Sequence, residues 1–152
     1  MAMIFAWPAE TKRHLLRAAA RQFGEGDVQH WWLPHSGVGV RTRISDDRVW
    51  LAYAAATYVG CSGDQAVLDE MVPFLQGPSL HPGEMDAVFQ PMVCGTKATL
   101  FEHCARGLDQ CLELTGEHGL PLIGTGDWND GMNRVGVHGK GESVWLGWLP
   151  LA

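Results

Sequence analysis

Hydrophobic positions recur at helical spacing in several stretches of the chain. Leu15, Leu16, Ala19 and Phe23 fall three and four residues apart, which predicts an amphipathic helix over residues 9–23, behind a Pro8 suited to a first turn. Gly24 and Gly26 end it. Residues 27–45 lose the period and carry Pro34, Gly37 and Gly39, so a long loop is expected there. Ser45, Asp46 and Asp47 offer capping side chains to a second helix, which runs through Trp50, Leu51, Tyr53, Ala54 and Val59 to Gly60. That helix is apolar on most sides and is expected to be buried. Gly63 and Asp64 open a third, shorter helix with Val67, Leu68, Met71 and Val72 on one side, ending at residues 73–75. Residues 76–97 hold three prolines and read as another long loop. Thr99 and Glu102 form a capping box before a fourth helix, whose Leu100, Cys104, Leu108, Cys111 and Leu112 share a face, with its end near Gly116. A fifth helix is expected from Glu142 and Ser143 onward. No stretch sustains strand alternation, and there is neither a repeat nor a low-complexity linker. The expected fold class is all-α: one domain over residues 1–152, with about five helices and its long loops at alternate connections, where function concentrates.

Charge narrows the partners. The chain carries 17 acidic and 11 basic residues for a net charge of -6, which argues against a nucleic-acid footprint. The basic run Lys12, Arg13, Arg17 and Arg21 sits at helical spacing and reads as a solvated helix face. Cys61, Cys94, Cys104 and Cys111 form no CxxC pair and no zinc-like cluster, so no metal site is expected. They read as reduced thiols of a cytoplasmic protein. The apolar start, Met1 to Pro8, lacks a basic leader and a cleavage pattern. No apolar run approaches the ~20 residues that span a bilayer, so no direct membrane contact is expected from this segment.

The densest chemistry lies in Gly124-Thr125-Gly126-Asp127-Trp128-Asn129-Asp130-Gly131-Met132-Asn133, followed by Gly139-Lys140-Gly141-Glu142-Ser143-Val144-Trp145. Glycines let the backbone approach a ligand closely. A tryptophan face suits the C–H face of a sugar ring, and carboxylates and amides suit hydroxyls. The stretch reads as a carbohydrate site with a candidate acid catalyst. The bland alternative is a turn in which Asp and Asn satisfy nearby backbone groups. Trp31, Trp32, Trp50, Trp145 and Trp148 also lie in or near polar motifs, although a large aromatic is more often core.

Four strings carry a family resemblance: Gly26-Asp27-Val28-Gln29-His30-Trp31-Trp32, Gly39-Val40-Arg41-Thr42-Arg43-Ile44-Ser45-Asp46-Asp47, Thr99-Leu100-Phe101-Glu102-His103-Cys104, and residues 124–148. Together they resemble the catalytic domain of glycoside hydrolase family 94, the inverting β-glycan phosphorylases once grouped as glycosyltransferases. The likeness is strongest to the phosphorylase-like C-terminal region of cyclic β-1,2-glucan synthases and covers nearly the whole chain. The resemblance implies a partial (α/α)6 barrel, a portion of six helical hairpins with the sugar site at one mouth. It implies Asp130 as general acid and Trp128 beside the scissile bond, with Asp127 and Asn129 in the same string. It implies Arg41 and Asp47, with Asp46 adjacent, as contacts to the donor sugar. The family's phosphate-binding residues fall mostly downstream of this sequence, so the chain is expected to be a fragment of a larger enzyme, and an inner-membrane parent is left open.

Inverting cleavage needs a proton donor on the leaving oxygen and a nucleophile on the opposite face. Phosphate is already an anionic nucleophile, so one carboxyl group suffices. Asp130 is expected to stay protonated through partial burial beside Trp128 and the charge of Asp127. Against these roles stand plainer ones: Asp130 as a turn cap, Asp127 as a loop-shaping residue, Arg41 and Asp47 as a structural ion pair, and His30, His35 and His103 as satisfied structure. The expected reaction is phosphorolysis or glycosyl transfer at β-glucosidic, above all β-1,2, bonds of a β-glucan oligosaccharide. Inorganic phosphate is the co-substrate, no cofactor is expected, and the product is a sugar 1-phosphate. The remainder of the parent enzyme is the expected partner, and a homo-oligomer is left open. The alternatives are a non-catalytic glucan-binding or chain-length-regulating part of a larger glucan synthase, and an inverting hydrolase.

Overall fold

The computed structural model describes residues 3–151. Met1 and Ala2 of the apolar start, and Ala152 at the expected end of the fifth helix, lie outside the described residues. Five α-helices are present among the described residues: α1 (Met3–Ala6), α2 (Pro8–Ala19), α3 (Trp50–Ser62), α4 (Leu100–Glu113) and α5 (Val144–Trp148). Five strands accompany them: β1 (Gln29–Trp32), β2 (Gly39–Thr42), β3 (Met71–Gln76), β4 (Asp86–Phe89) and β5 (Met92–Thr99). The all-α expectation, and with it the partial (α/α)6 barrel, is therefore corrected. Helix, 3-10 segments included, takes 42% of the described residues and strand 23%, with two antiparallel sheets, so the fold is mixed.

The strands lie where loops were expected, and their physical reasons differ. In the three-stranded sheet β2 is central, flanked by β1 and β4, and each strand has only four residues. Gly39, Val40 and Arg41 of β2 are all buried, so no in-out alternation marks it. β3 replaces the second half of the expected third helix, and only a 3-10 segment, Gln65–Asp69, forms ahead of it. Pro73 sits in β3 where the register against β5 shifts between Pro73 and Leu75, a bulge that tolerates the missing N–H.

The helices keep much of their expected extent. α2 begins with Pro8 in its first turn but stops at Ala19, because the chain then turns outward to pair with the sheets. There the Gln22 carbonyl accepts from the Leu75 N–H at 2.7 Å. α3 ends at Gly63, which supplies the left-handed φ of 72° at the cap, three residues beyond the expected Gly60. The capping box on α4 is present in full, with the Thr99 hydroxyl accepting from the Glu102 N–H at 3.1 Å and Glu102 Oε2 accepting from the Thr99 N–H at 2.8 Å.

Helices α2, α3 and α4 enclose the main core, built on Leu15, Ala19, Leu51, Ala55, Leu100 and Cys104. Val72 of β3 joins it from the two-stranded sheet. A smaller cluster of Val49, Cys111 and Leu146 seats α5 against α4. All four cysteines are free, Cys104 and Cys111 buried on α4, where burial raises both thiols, Cys104 to about 11. Among the described residues, no helix is long and apolar enough to cross a membrane.

Candidate active site

The glycine-rich loop is pinned at both ends. Its base is closed by the Ile123 N–H donating to the Gly141 carbonyl at 2.8 Å and the Ser143 N–H donating to the Pro121 carbonyl at 2.8 Å. Its first half pairs with the segment after β2. The Ser45 N–H and hydroxyl both donate to the Gly126 carbonyl, at 2.9 and 3.1 Å. Gly124, at φ 62°, lies so close to the Arg43 carbonyl that a Cβ there would collide with it. This pairing brings Asp46 and Asp47, far away in sequence, to the loop that carries Asp130.

Asp47 occupies a single 3-10 turn (Asp46–Arg48), and Asp130 occupies another (Asp130–Met132). His30, on β1, stands between them. Its Nδ1 lies 2.9 and 3.1 Å from the two carboxylate oxygens of Asp47, and its Nε2 lies 3.6 Å from Asp130 Oδ2. The Thr42 hydroxyl donates to Asp47 at 3.4 Å from the other side. The hydrogen bond to Asp47 raises the His30 pKa above the ordinary histidine value. Partial burial opposes this, and the charges of Asp47, Asp130 and Asp46 add to it. His30 was read from the sequence as satisfied structure. The signal that could have found it was its place in the string Gln29-His30-Trp31-Trp32.

The expected burial of Asp130 is not found, since its side chain is 65% exposed. Trp128 is also 63% exposed. Its ring lies 6.2 Å from Trp145, which lies 6.1 Å from Trp50, which in turn meets Tyr53 edge-on at 5.9 Å. An aromatic row thus runs from α3 to the loop. The Trp50 indole N–H donates to Asp46 Oδ2 at 2.7 Å. Burial holds the Asp46 carboxyl above its ordinary value, the Trp50 hydrogen bond works against that, and the charges of Asp47 and Asp127 reinforce it.

The other residues singled out in the sequence shape the loop or leave the group. Asp127 is buried and accepts from the Ser143 hydroxyl at 2.8 Å and the Asn129 N–H at 3.2 Å. Asn129 accepts from the Gly131 N–H at 3.1 Å, an Asx turn into the Asp130 segment. Arg41 is not paired with Asp47. It is 3% exposed and grips Asp27 in a bidentate pair, with Nε at 2.5 Å and an Nη at 2.7 Å, over the Phe23 ring. Ser45, Asp46 and Asp47 also do not cap α3 with their side chains, because those groups are taken up by Gly126, Trp50 and His30.

An exposed carboxyl beside a histidine, and a row of tryptophans that ends at exposed Trp128 on the glycine-rich loop, is the equipment of a carbohydrate-active enzyme. The chain belongs to the glycosyl hydrolase 94 superfamily, matching the model of its catalytic domain over residues 1–152. It is 55% identical over 149 residues to the cyclic beta-(1,2)-glucan synthase NdvB of Rhizobium meliloti (strain 1021), an alignment covering 98% of this chain and 5% of that protein. It is 32% identical over 139 residues to a solabiose phosphorylase of Paenibacillus borealis, covering 91% of this chain and 15% of the relative. It is also 32% identical over 150 residues to a cellobionic acid phosphorylase of Neurospora crassa, covering 96% of this chain and 17% of the relative. The chain therefore spans between one-twentieth and about one-sixth of the length of these relatives.

Proposed function

We propose that this chain supplies the acid-catalyst side of an inverting phosphorolysis at β-1,2-glucosidic bonds, within a larger cytoplasmic enzyme or one whose parent is anchored at the inner membrane. The observation that carries the reading is the Asp47–His30–Asp130 alignment beside exposed Trp128. His30 donates Nδ1–H to Asp47, which leaves Nε2 facing Asp130. One proton is then shared between Nε2 and the Asp130 carboxyl. Contacts of this kind are often long without substrate and tighten around it. Asp130 delivers the proton to the leaving glycosidic oxygen as the C1–O bond breaks. A phosphate oxygen forms the new bond at C1 from the opposite face, and the products are an inverted sugar 1-phosphate and a shortened glucan. The proton carried by the phosphate returns to the Asp130–His30 pair. Inorganic phosphate is the co-substrate, and the step as written needs no cofactor. Trp128 stacks against a glucosyl ring.

Asp130→Asn in the complete enzyme tests this. General acid catalysis contributes typically 10²–10⁴-fold, so kcat is expected to fall by at least that factor while glucan affinity stays within a few-fold. More than about a tenth of wild-type kcat, which is ~1.4 kcal/mol of barrier, would remove Asp130 from the role. The aromatic row favours a second reading, a glucan-binding or chain-length-gauging element without turnover. Saturable glucan binding with release of neither glucose 1-phosphate nor glucose selects it. Release of glucose alone selects a hydrolase.

A further inference from the structure

The base of the glycine-rich loop holds a carboxylate that the site does not use. The Glu142 side chain is only 10% exposed. It does not cap α5. That task falls to Ser143, whose hydroxyl accepts from the Leu146 N–H at 3.0 Å. Glu142 reaches instead to the turn that follows α4. Its Oε1 accepts from the His118 N–H at 3.0 Å and lies 3.1 Å from His118 Nδ1. Its Oε2 is enclosed without a hydrogen-bond partner. Enclosing an unpaired carboxylate oxygen is costly, so stability alone does not account for an acid at this position. The turn is shaped to receive it. The Gly116 N–H donates to the Leu120 carbonyl at 2.8 Å, and Gly119 takes a φ of 77°. A Cβ on Gly116 would collide with the Glu142 carboxylate, so the two fit together only because residue 116 is glycine.

From this clamp a continuous line of hydrogen bonds leads to the candidate acid. Glu142 is followed in the chain by Ser143, whose hydroxyl donates to buried Asp127 at 2.8 Å. Asp127 accepts from the Asn129 N–H at 3.2 Å, and Asn129 accepts from the Gly131 N–H at 3.1 Å, on either side of Asp130. Asp130 itself is exposed and has little packing of its own to fix it. We propose that Glu142 is a positioning residue: by clamping the turn 116–120 to the base of the glycine-rich loop, it sets through Ser143, Asp127 and Asn129 where the Asp130 carboxyl stands. This deepens the proposed function and rests on the acid role given there to Asp130. The clamp acts on the loop and not on the reacting atoms, so it has a readout of its own that needs no turnover.

The experiment uses the complete enzyme and three variants, Glu142→Ala, Glu142→Gln and Gly116→Ala. Hydrogen–deuterium exchange of residues 124–133 reads the loop, and steady-state phosphorolysis reads the acid. In Glu142→Ala, exchange in that segment is expected to quicken by about tenfold or more while residues 50–62 keep their wild-type protection. Its kcat is expected to fall by about tenfold or more with the KM for glucan within a few-fold, since a small misplacement at a reacting centre costs on the order of 10²-fold. Glu142→Gln keeps an acceptor for the His118 N–H and is expected to recover a large part of both losses. Gly116→Ala retains the carboxylate but drives it off the turn, so it should reproduce Glu142→Ala. Combined with Glu142→Ala it should add little, because its Cβ then has no carboxylate to meet. A purely structural Glu142 would instead lower Tm with kcat intact. Unchanged loop exchange in Glu142→Ala, no rescue by Gln, or an unchanged kcat in an enzyme that Asp130→Asn disables would overturn the proposal. If Asp130→Asn keeps its activity, the acid assignment falls, and the exchange of residues 124–133 alone decides the clamp.

Discussion

At His30 two carboxylates meet one imidazole, and the consequence is a pH dependence with a definite sign. The folded-state pKa is raised, chiefly by the hydrogen bond to Asp47. Its stabilising contribution is therefore complete below the ordinary histidine value of about 6.5 and is lost as pH rises through the raised value. The urea midpoint of wild type is expected to exceed that of His30→Gln most clearly below about pH 6.5, with the gap narrowing at higher pH. A gap that widens with pH would contradict the assignment. In the complete enzyme the same substitution should lower kcat, because Asp130 loses the imidazole that faces it at 3.6 Å. Asp27 makes a second residue-scale case. Its removal leaves Arg41, 3% exposed, without its bidentate partner. Asp27→Ala is expected to cost about 3–5 kcal/mol in chemical denaturation, the usual penalty of stranding a buried charge. A loss below 1 kcal/mol would mean that Glu25, 3.4 Å away, takes over the pair. Asp130, Trp128, Asp47 and Asp46 stand out in the sequence as candidates because each sits in a dense polar string. The diversion of Arg41 to Asp27 was not. Both residues lie in strings that resemble the family, and nothing in their spacing says which acid an arginine will choose.

Among the elements, helices were legible where side chains repeat or cap, and strands were not legible at all. Thr99 and Glu102 announced α4, and the structure has both hydrogen bonds of the box. Thr99→Ala removes the hydroxyl that accepts from the Glu102 N–H and is expected to cost about 1 kcal/mol. Thr99→Ser should recover most of that. Equal stability of the Ala variant by urea denaturation would show that the pairing of Thr99 with Met71 at the end of β5 holds the helix start unaided. The strands hid for reasons of length and burial. β1, β2 and β4 are too short for a period to emerge, and β2 is buried through its first three residues. In residues 63–75, Val67, Leu68, Met71 and Val72 mimic a helical face, but Pro73 removes a helix donor and fits the β3 bulge instead. The sheets position the site. β1 carries His30, and the end of β2 leads through the Gly126 contact into the loop. A site made from strands and loops therefore arose where the sequence promised only loops.

At the scale of the whole molecule, large apolar side chains lie exposed on several elements. Phe5, Trp7, Met92, Val93, Phe101, Leu112 and Trp148 are all exposed. Met92 and Val93 begin β5, whose partner in a two-stranded sheet is β3 alone, so β5 offers an edge with free ladder groups next to exposed apolar side chains. Apolar edges are templates for pairing with another chain, and contiguous exposed apolar surface promotes association. The net charge of -6 opposes this only weakly at physiological salt, where the Debye length is about 8 Å. Expressed by itself, this chain is expected to self-associate at micromolar concentration, with the sedimentation coefficient rising with concentration. It is also expected to show both helix and strand in its circular dichroism, and to release no sugar 1-phosphate. Val93→Lys places a charge on the edge without touching the core, so it should lower the association while leaving Tm nearly unchanged, as surface substitutions do within about 0.5 kcal/mol. A monodisperse wild-type monomer at high concentration would show that these side chains cover one another in solution. Association that survives Val93→Lys but yields to Trp148→Lys would move the contact from the β5 edge to the α5 end of the molecule.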